Sequence, residues 1–162
     1  MGFMSFCQGL SETAFSRHLR EAPYDFPVLI IIHILTIALF GGMVVMGNLR
    51  VLGLAMKSVP VSEVMGQFRP WKWTAFALLF VTGTLLATSD PVEYGGNIMF
   101  WISNALLLLA GFNTILFRLG PYQSVAAWDR APEAPRSARR WAQISLFLWI
   151  ILIFAGRAIA FF

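Results

Sequence analysis

Only two histidines occur in the 162 residues, and one of them, His33, lies within the apolar stretch from Phe26 to Gly47. That stretch is long enough to cross a bilayer as a helix and carries no other ionisable side chain. An imidazole in hydrocarbon must find a hydrogen-bond partner, a metal or a cofactor, because desolvation otherwise destabilises it. At about 1.5 Å rise per residue, His33 lies one-third of the way into its span. Arg157 sits at a similar depth from the same side, close to the chain end. Thr36 shares the His33 face one turn on, while Thr84, Thr88 and Asn104 reach the same leaflet from other apolar stretches. All four spans can therefore contribute to one polar site in the outer leaflet.

That constellation admits several chemistries. In the simplest, His33 is neutral and bonded to Thr36 or Asn104, while Arg157 reaches out to headgroups or to the terminal carboxylate of Phe162. In the second, His33 is an axial ligand of haem b and Arg157 lies beside a propionate. Only His18 can then complete a bis-histidine pair, since Met43 is about 15 Å further along the same helix. In the third, copper is held by His33 and a methionine; zinc or iron would need carboxylates or cysteines that the spans lack. Cys7 is the single cysteine, so an intrachain disulfide and a cysteine metal cluster are both excluded. No span supplies the Asp or Glu of a proton pathway, nor a nucleophile, base and orienter for hydrolysis.

The elements that must position these groups follow from hydropathy and charge. Hydrophobic residues make up 58% of the chain and charged residues 12%, which marks an integral membrane protein rather than a soluble domain. Spans are expected at about residues 26–47, 74–88, 98–117 and 141–162, giving an all-α four-helix bundle made of two helical hairpins. Residues 1–23 form a separate amphipathic segment, with Phe6, Leu10, Phe15 and Leu19 on one face of a single interfacial helix and Ser11 as a cap; residues 24–162 are the membrane domain. Glu12, Arg17, His18, Arg20 and Glu21 break any signal-peptide core, and Phe6 stands where a myristoylation motif needs Ser or Thr, so uncleaved insertion without a lipid anchor is expected.

Arg50, Lys57, Arg69 and Lys72 fall in one connection and Arg118, Arg130, Arg136, Arg139 and Arg140 in another, whereas the connection between them holds Asp90 and Glu93 and no cation. The positive-inside rule places the basic connections in the cytoplasm and both termini in the periplasm of a bacterial inner membrane. It also accounts for the basic balance without nucleic acid. Pro132 and Pro135 predict an irregular second loop after a short helix at Gln123 to Trp128. Arg50-Val-Leu-Gly and Arg118-Leu-Gly follow the two inward spans, and Arg69-Pro-Trp and Arg140-Trp open the two returning ones, a weak internal repeat. Ala38/Gly42, Gly83/Ala87 and Gly156/Ala160 offer small-residue pairs for close helix approach.

Pro23-Tyr-Asp-Phe-Pro27 before His33, Asn48-Leu-Arg-Val-Leu-Gly-Leu54, Pro70-Trp-Lys-Trp73, Thr82-Gly-Thr-Leu-Leu86 and Ser124-Val-Ala-Ala-Trp-Asp129, in that order, resemble a bacterial inner-membrane family of unknown function. The resemblance implies a four-helix membrane protein. More distantly, the first span is similar to the histidine-bearing helices of the copper-resistance CopD family and of b-type membrane cytochromes. This chain departs from the family pattern in having Ile30 and Ile31 where an acid precedes the histidine, Asn48 for an aspartate, Ser103 near the place of a lysine, and Arg118 near that of a histidine. Those departures imply a non-catalytic subunit and leave His33 as the position carried over.

The expected function is therefore a small accessory or structural subunit of a bacterial inner-membrane assembly, redox-linked or otherwise. Its expected partners are the lipid bilayer and copies of itself or other membrane subunits. The alternatives are a b-type haem electron carrier with His33 as ligand and a copper-handling membrane protein. The candidate cofactor residues are His33, His18, Arg157, Asn104 and Thr36, with His33 also the candidate metal ligand.

Overall fold

The computed structural model describes residues 2–161, and they are helical almost throughout, with no strand among them. Four helices are long and apolar enough to cross a membrane: α3 (Asp25–Val51), α4 (Val61–Ser89), α6 (Ile98–Leu119) and α7 (Arg136–Ala158). The protein is a multi-pass membrane protein. Shorter helices α1 (Phe3–Ser11), α2 (Ala14–Glu21) and α5 (Pro91–Gly96) lie at one end, and a 3-10 helix, Pro121–Ala127, lies at the other. The two ends are called here the terminal end and the arginine-rich end.

Three boundaries differ from the hydropathy reading. The second spanning helix begins at Val61 rather than near Thr74, and runs straight through Pro70. Proline removes one amide donor and frees the Gly66 carbonyl, but the flanking turns continue the helix, so Pro70 interrupts one bond rather than the element. The fourth begins at Arg136, directly after Pro135, because proline's fixed φ suits the residue just before a helix; Phe162, its expected last residue, lies outside the described residues. The single N-terminal helix is two, broken at Glu12 and Thr13. Thr13, not Ser11, caps the second, accepting from the Ser16 amide at 3.2 Å.

Helices α1 and α2 do not lie free on the membrane surface. Ser16 is fully buried and its hydroxyl donates to the Thr88 carbonyl at 2.8 Å, so α2 satisfies one of the orphan carbonyls at the end of α4. Cys7 is buried where α1 packs on α5, against Gly95. Asn97 caps α6 and also donates to the Ile159 carbonyl at 2.9 Å, tying α6 to the end of α7.

Each hairpin packs on itself, α3 on α4 and α6 on α7, and α3 also packs on α7. The pair that the internal repeat would match to α3 and α7 is α6 and α4, and these two do not pack along one another. The bundle is therefore open on one side.

Candidate functional site

The outer-leaflet constellation does not assemble. Thr36 donates to its own helix at Ile32 (2.7 Å), Thr84 to Phe80 (2.8 Å) and Asn104 to Phe100 (2.8 Å). In a dry helix the carbonyl one turn back is always within reach, so these side chains satisfy themselves locally before any neighbouring helix can compete. Asn104 and Arg157 are exposed, and the Arg157 guanidinium stacks over Phe161 at 4.7 Å. His18 is also exposed and pairs with Asp25 at 3.0 Å, away from His33.

His33 does find a partner, and it is Thr82, at 2.7 Å from Nδ1. The Thr82 hydroxyl also reaches the Leu78 carbonyl at 2.8 Å. Its single hydrogen can serve only one of them; given to Leu78, it leaves Nδ1 as the donor to Thr82 and Nε2 with a free lone pair. Gly83 makes this approach possible, since a Cβ there would lie 3.3 Å from the imidazole Cε1. The described residues bring no second histidine to His33, since His18 pairs with Asp25 instead. The bis-histidine haem geometry does not fit. In a double-mutant cycle of His33→Leu and Thr82→Val, unfolding in detergent should reveal a coupling of about 1 kcal/mol or less, the size of an intramembrane hydrogen bond. A coupling several times larger would mean that the pair holds something more than each other.

A more elaborate polar structure stands at the arginine-rich end. Arg50, the next-to-last residue of α3, is only 3% exposed. Its guanidinium donates to the Val59 carbonyl in one loop and to the Asp129 carbonyl in the other, the latter at 3.2 Å. The Asp129 carboxylate accepts from the Ser62 amide and the Ser62 hydroxyl, both at 2.7 Å, and the Asp129 carbonyl accepts from the Val61 amide at 3.1 Å. Pro60 has no side chain able to cap α4, so Asp129 caps it from the opposite hairpin. Beneath this knot lies the hydrophobic cluster of Val51, Val61, Trp128, Ala134, Ala138 and Ala142.

Burial alone would raise the Asp129 pKa. The two bonds from Ser62 and the positive charges of Arg130 and Arg50 outweigh it and hold the carboxyl below its ordinary value. A depressed folded-state pKa stabilises the protein above the unfolded value of about 3.9 and ceases to do so as pH falls through the folded value. The difference in thermal midpoint between the protein and Asp129→Asn should accordingly be constant from pH 7 to pH 5 and shrink below about pH 4. A difference that grows on acidification would contradict this role.

Above the knot, the gap between α4 and α6 is a cavity of about 420 Å³ with walls from all four spanning helices. Phe40, Phe76, Trp73 and Trp149 line its deeper, apolar part. Asn48 and Ser145, joined at 2.8 Å, and Asn113 supply polar groups, and Arg69, Lys72 and Arg118 supply charge. Trp73 is 61% exposed, so the cavity reaches the lipid-facing surface. This site is absent from the depth argument because Arg69 and Lys72 belong to α4, not to a loop. Asn113 and Ser145 gave one available signal, as polar residues within otherwise apolar helical runs.

The model of a family of unknown function, DUF6644, matches residues 27–162. The chain belongs to this family. The DUF6644 match takes in all four spanning helices, the Arg50–Asp129 knot and the cavity, and begins after α1 and α2. Asn48 and Arg118 line the cavity, and Ser103 is buried with its hydroxyl unpartnered. No curated protein and no solved structure matches the chain. The likeness of α3 to helices of copper-resistance proteins and cytochromes thus has no named relative behind it.

Proposed function

We propose that this DUF6644 protein is a small membrane-embedded binding subunit of a bacterial inner-membrane assembly, which takes an amphiphilic molecule from the bilayer through the gap between α4 and α6. The observation that carries this reading is the cavity itself. Helices elsewhere in the bundle close on one another, whereas α4 and α6 do not pack along one another. A volume of 420 Å³ with aromatic walls and a few polar groups has the size and chemistry of a small-molecule site, for which about 300–1,000 Å³ is usual. Charge asymmetry supports an orientation with the arginine-rich loops cytoplasmic and both termini periplasmic.

Gly111 lines the cavity, and a Cβ placed on it would meet nothing within 4 Å. Gly111→Phe should therefore start a bulky side chain into open space and obstruct the cavity, and the loss of a helical glycine favours the fold by about 0.5 kcal/mol. Native mass spectrometry from mild detergent should find the protein carrying one amphiphile per chain and Gly111→Phe carrying none at an equal or higher thermal midpoint. A parent protein that carries none, and whose melting ignores added lipid, would refute the binding function. A lone monomer without partner or self-association would remove its role as a subunit.

A further inference from the structure

The charges around the cavity select among amphiphiles. Arg69, Lys72 and Arg118 stand on two helices that face each other across the gap, and among the described residues none has a carboxylate within 4.0 Å. Cations drawn toward the hydrocarbon boundary without counter-ions call for an anion there. Arg118 is the best fixed of the three, with its guanidinium over the Tyr122 ring at 5.9 Å.

A second observation is independent of charge: beyond these cations the walls are Phe40, Phe76 and Trp149, which suit an acyl chain.

Resting on the binding reading above, we propose that the cavity receives an anionic phospholipid. Arg69, Lys72 and Arg118 take its phosphate, and one acyl chain runs along the aromatic wall into the bilayer. The cavity holds the head and the start of one chain, and the remainder stays in the membrane.

The test is native mass spectrometry of the full chain, delipidated and titrated with phosphatidylglycerol and phosphatidylcholine. Phosphatidylglycerol should be retained at least tenfold better than phosphatidylcholine. Lys72→Gln with Arg118→Gln should abolish that preference, and Gly111→Phe should abolish retention of both lipids. Glycerol phosphate, the head without chains, should displace nothing at equal concentration. Equal retention of the two lipids, lost in Gly111→Phe, would overturn the anionic proposal and leave the binding function standing. Displacement by glycerol phosphate alone would overturn the lipid as ligand in favour of a free phosphate ester. Retention indifferent to Gly111→Phe would overturn both readings.

Discussion

Arg50→Leu should lower the unfolding free energy in detergent by about 3 kcal/mol or more, one of the two largest losses expected of any single substitution in the chain. Hydrogen bonds from a charged donor contribute about 1.5–3 kcal/mol each when buried, and Arg50 makes them to both arginine-rich loops. Leucine would keep an apolar stem at this buried position but leave the Val59 and Asp129 carbonyls with fewer donors. Arg50→Lys should recover less than half of the loss, because an ammonium cannot present two donors in the fixed fork that spans both carbonyls. A loss below about 1 kcal/mol for the leucine variant would mean that water replaces Arg50 and that the loops are not joined through it.

Gly53→Val should cost a comparable amount, about 3 kcal/mol, by a different route. Gly53 has φ +71°, which a β-branched residue adopts only under strain, and a Cβ there would lie 2.7 Å from the Pro132 carbonyl oxygen. That oxygen is backbone, so it cannot rotate away; the two loops must part. Trypsin should then cut at exposed Arg130 faster than in the parent protein. Gly66→Ala is the control, because Gly66 is an exposed helical position with nothing near its Cβ and should be neutral or slightly stabilising. Equal behaviour of the two glycine variants would show that the loops are not packed backbone to backbone.

The spanning helices and their alternating direction were legible because hydropathy and loop charge act over many residues at once. Individual side chains were not, and α3 shows why. It is apolar on nearly every face, and lipid is as good a neighbour for leucine as another helix, so nothing in its periodicity says which way His33 turns. Depth along the helix is set by the rise per residue; rotation is set by packing. The rise per residue thus puts His33 among partners that each bond to their own helix, while Thr82, its actual partner, lies in a quoted motif without being singled out.

Arg50 and Asp129 failed for another reason. Arg50 reads as a loop charge that orients the protein and Asp129 as the end of a quoted motif, yet they lie 79 residues apart and meet only when the two hairpins are side by side. Asp129 caps a helix in the other hairpin, so no local capping pattern could reveal it. Arg69 and Lys72 read as loop residues because charge interrupts the apolar run before residue 74, whereas they lie on α4, and that difference hides the cavity.

The central claim is that α4 and α6 stand apart in the membrane with a lipid-derived molecule between them. A photo-crosslinking amino acid in place of Gly111 tests it most directly, since that position opens into the cavity without contact to the opposite wall. Irradiation of native membranes should yield an adduct carrying the mass of one amphiphile, at a higher yield than from the lipid-exposed position of Leu108 on the same helix. Crosslinks from position 111 to Trp73 or Phe76 of α4, with no amphiphile adduct, would mean that the two helices close on each other and that the cavity does not exist in the bilayer.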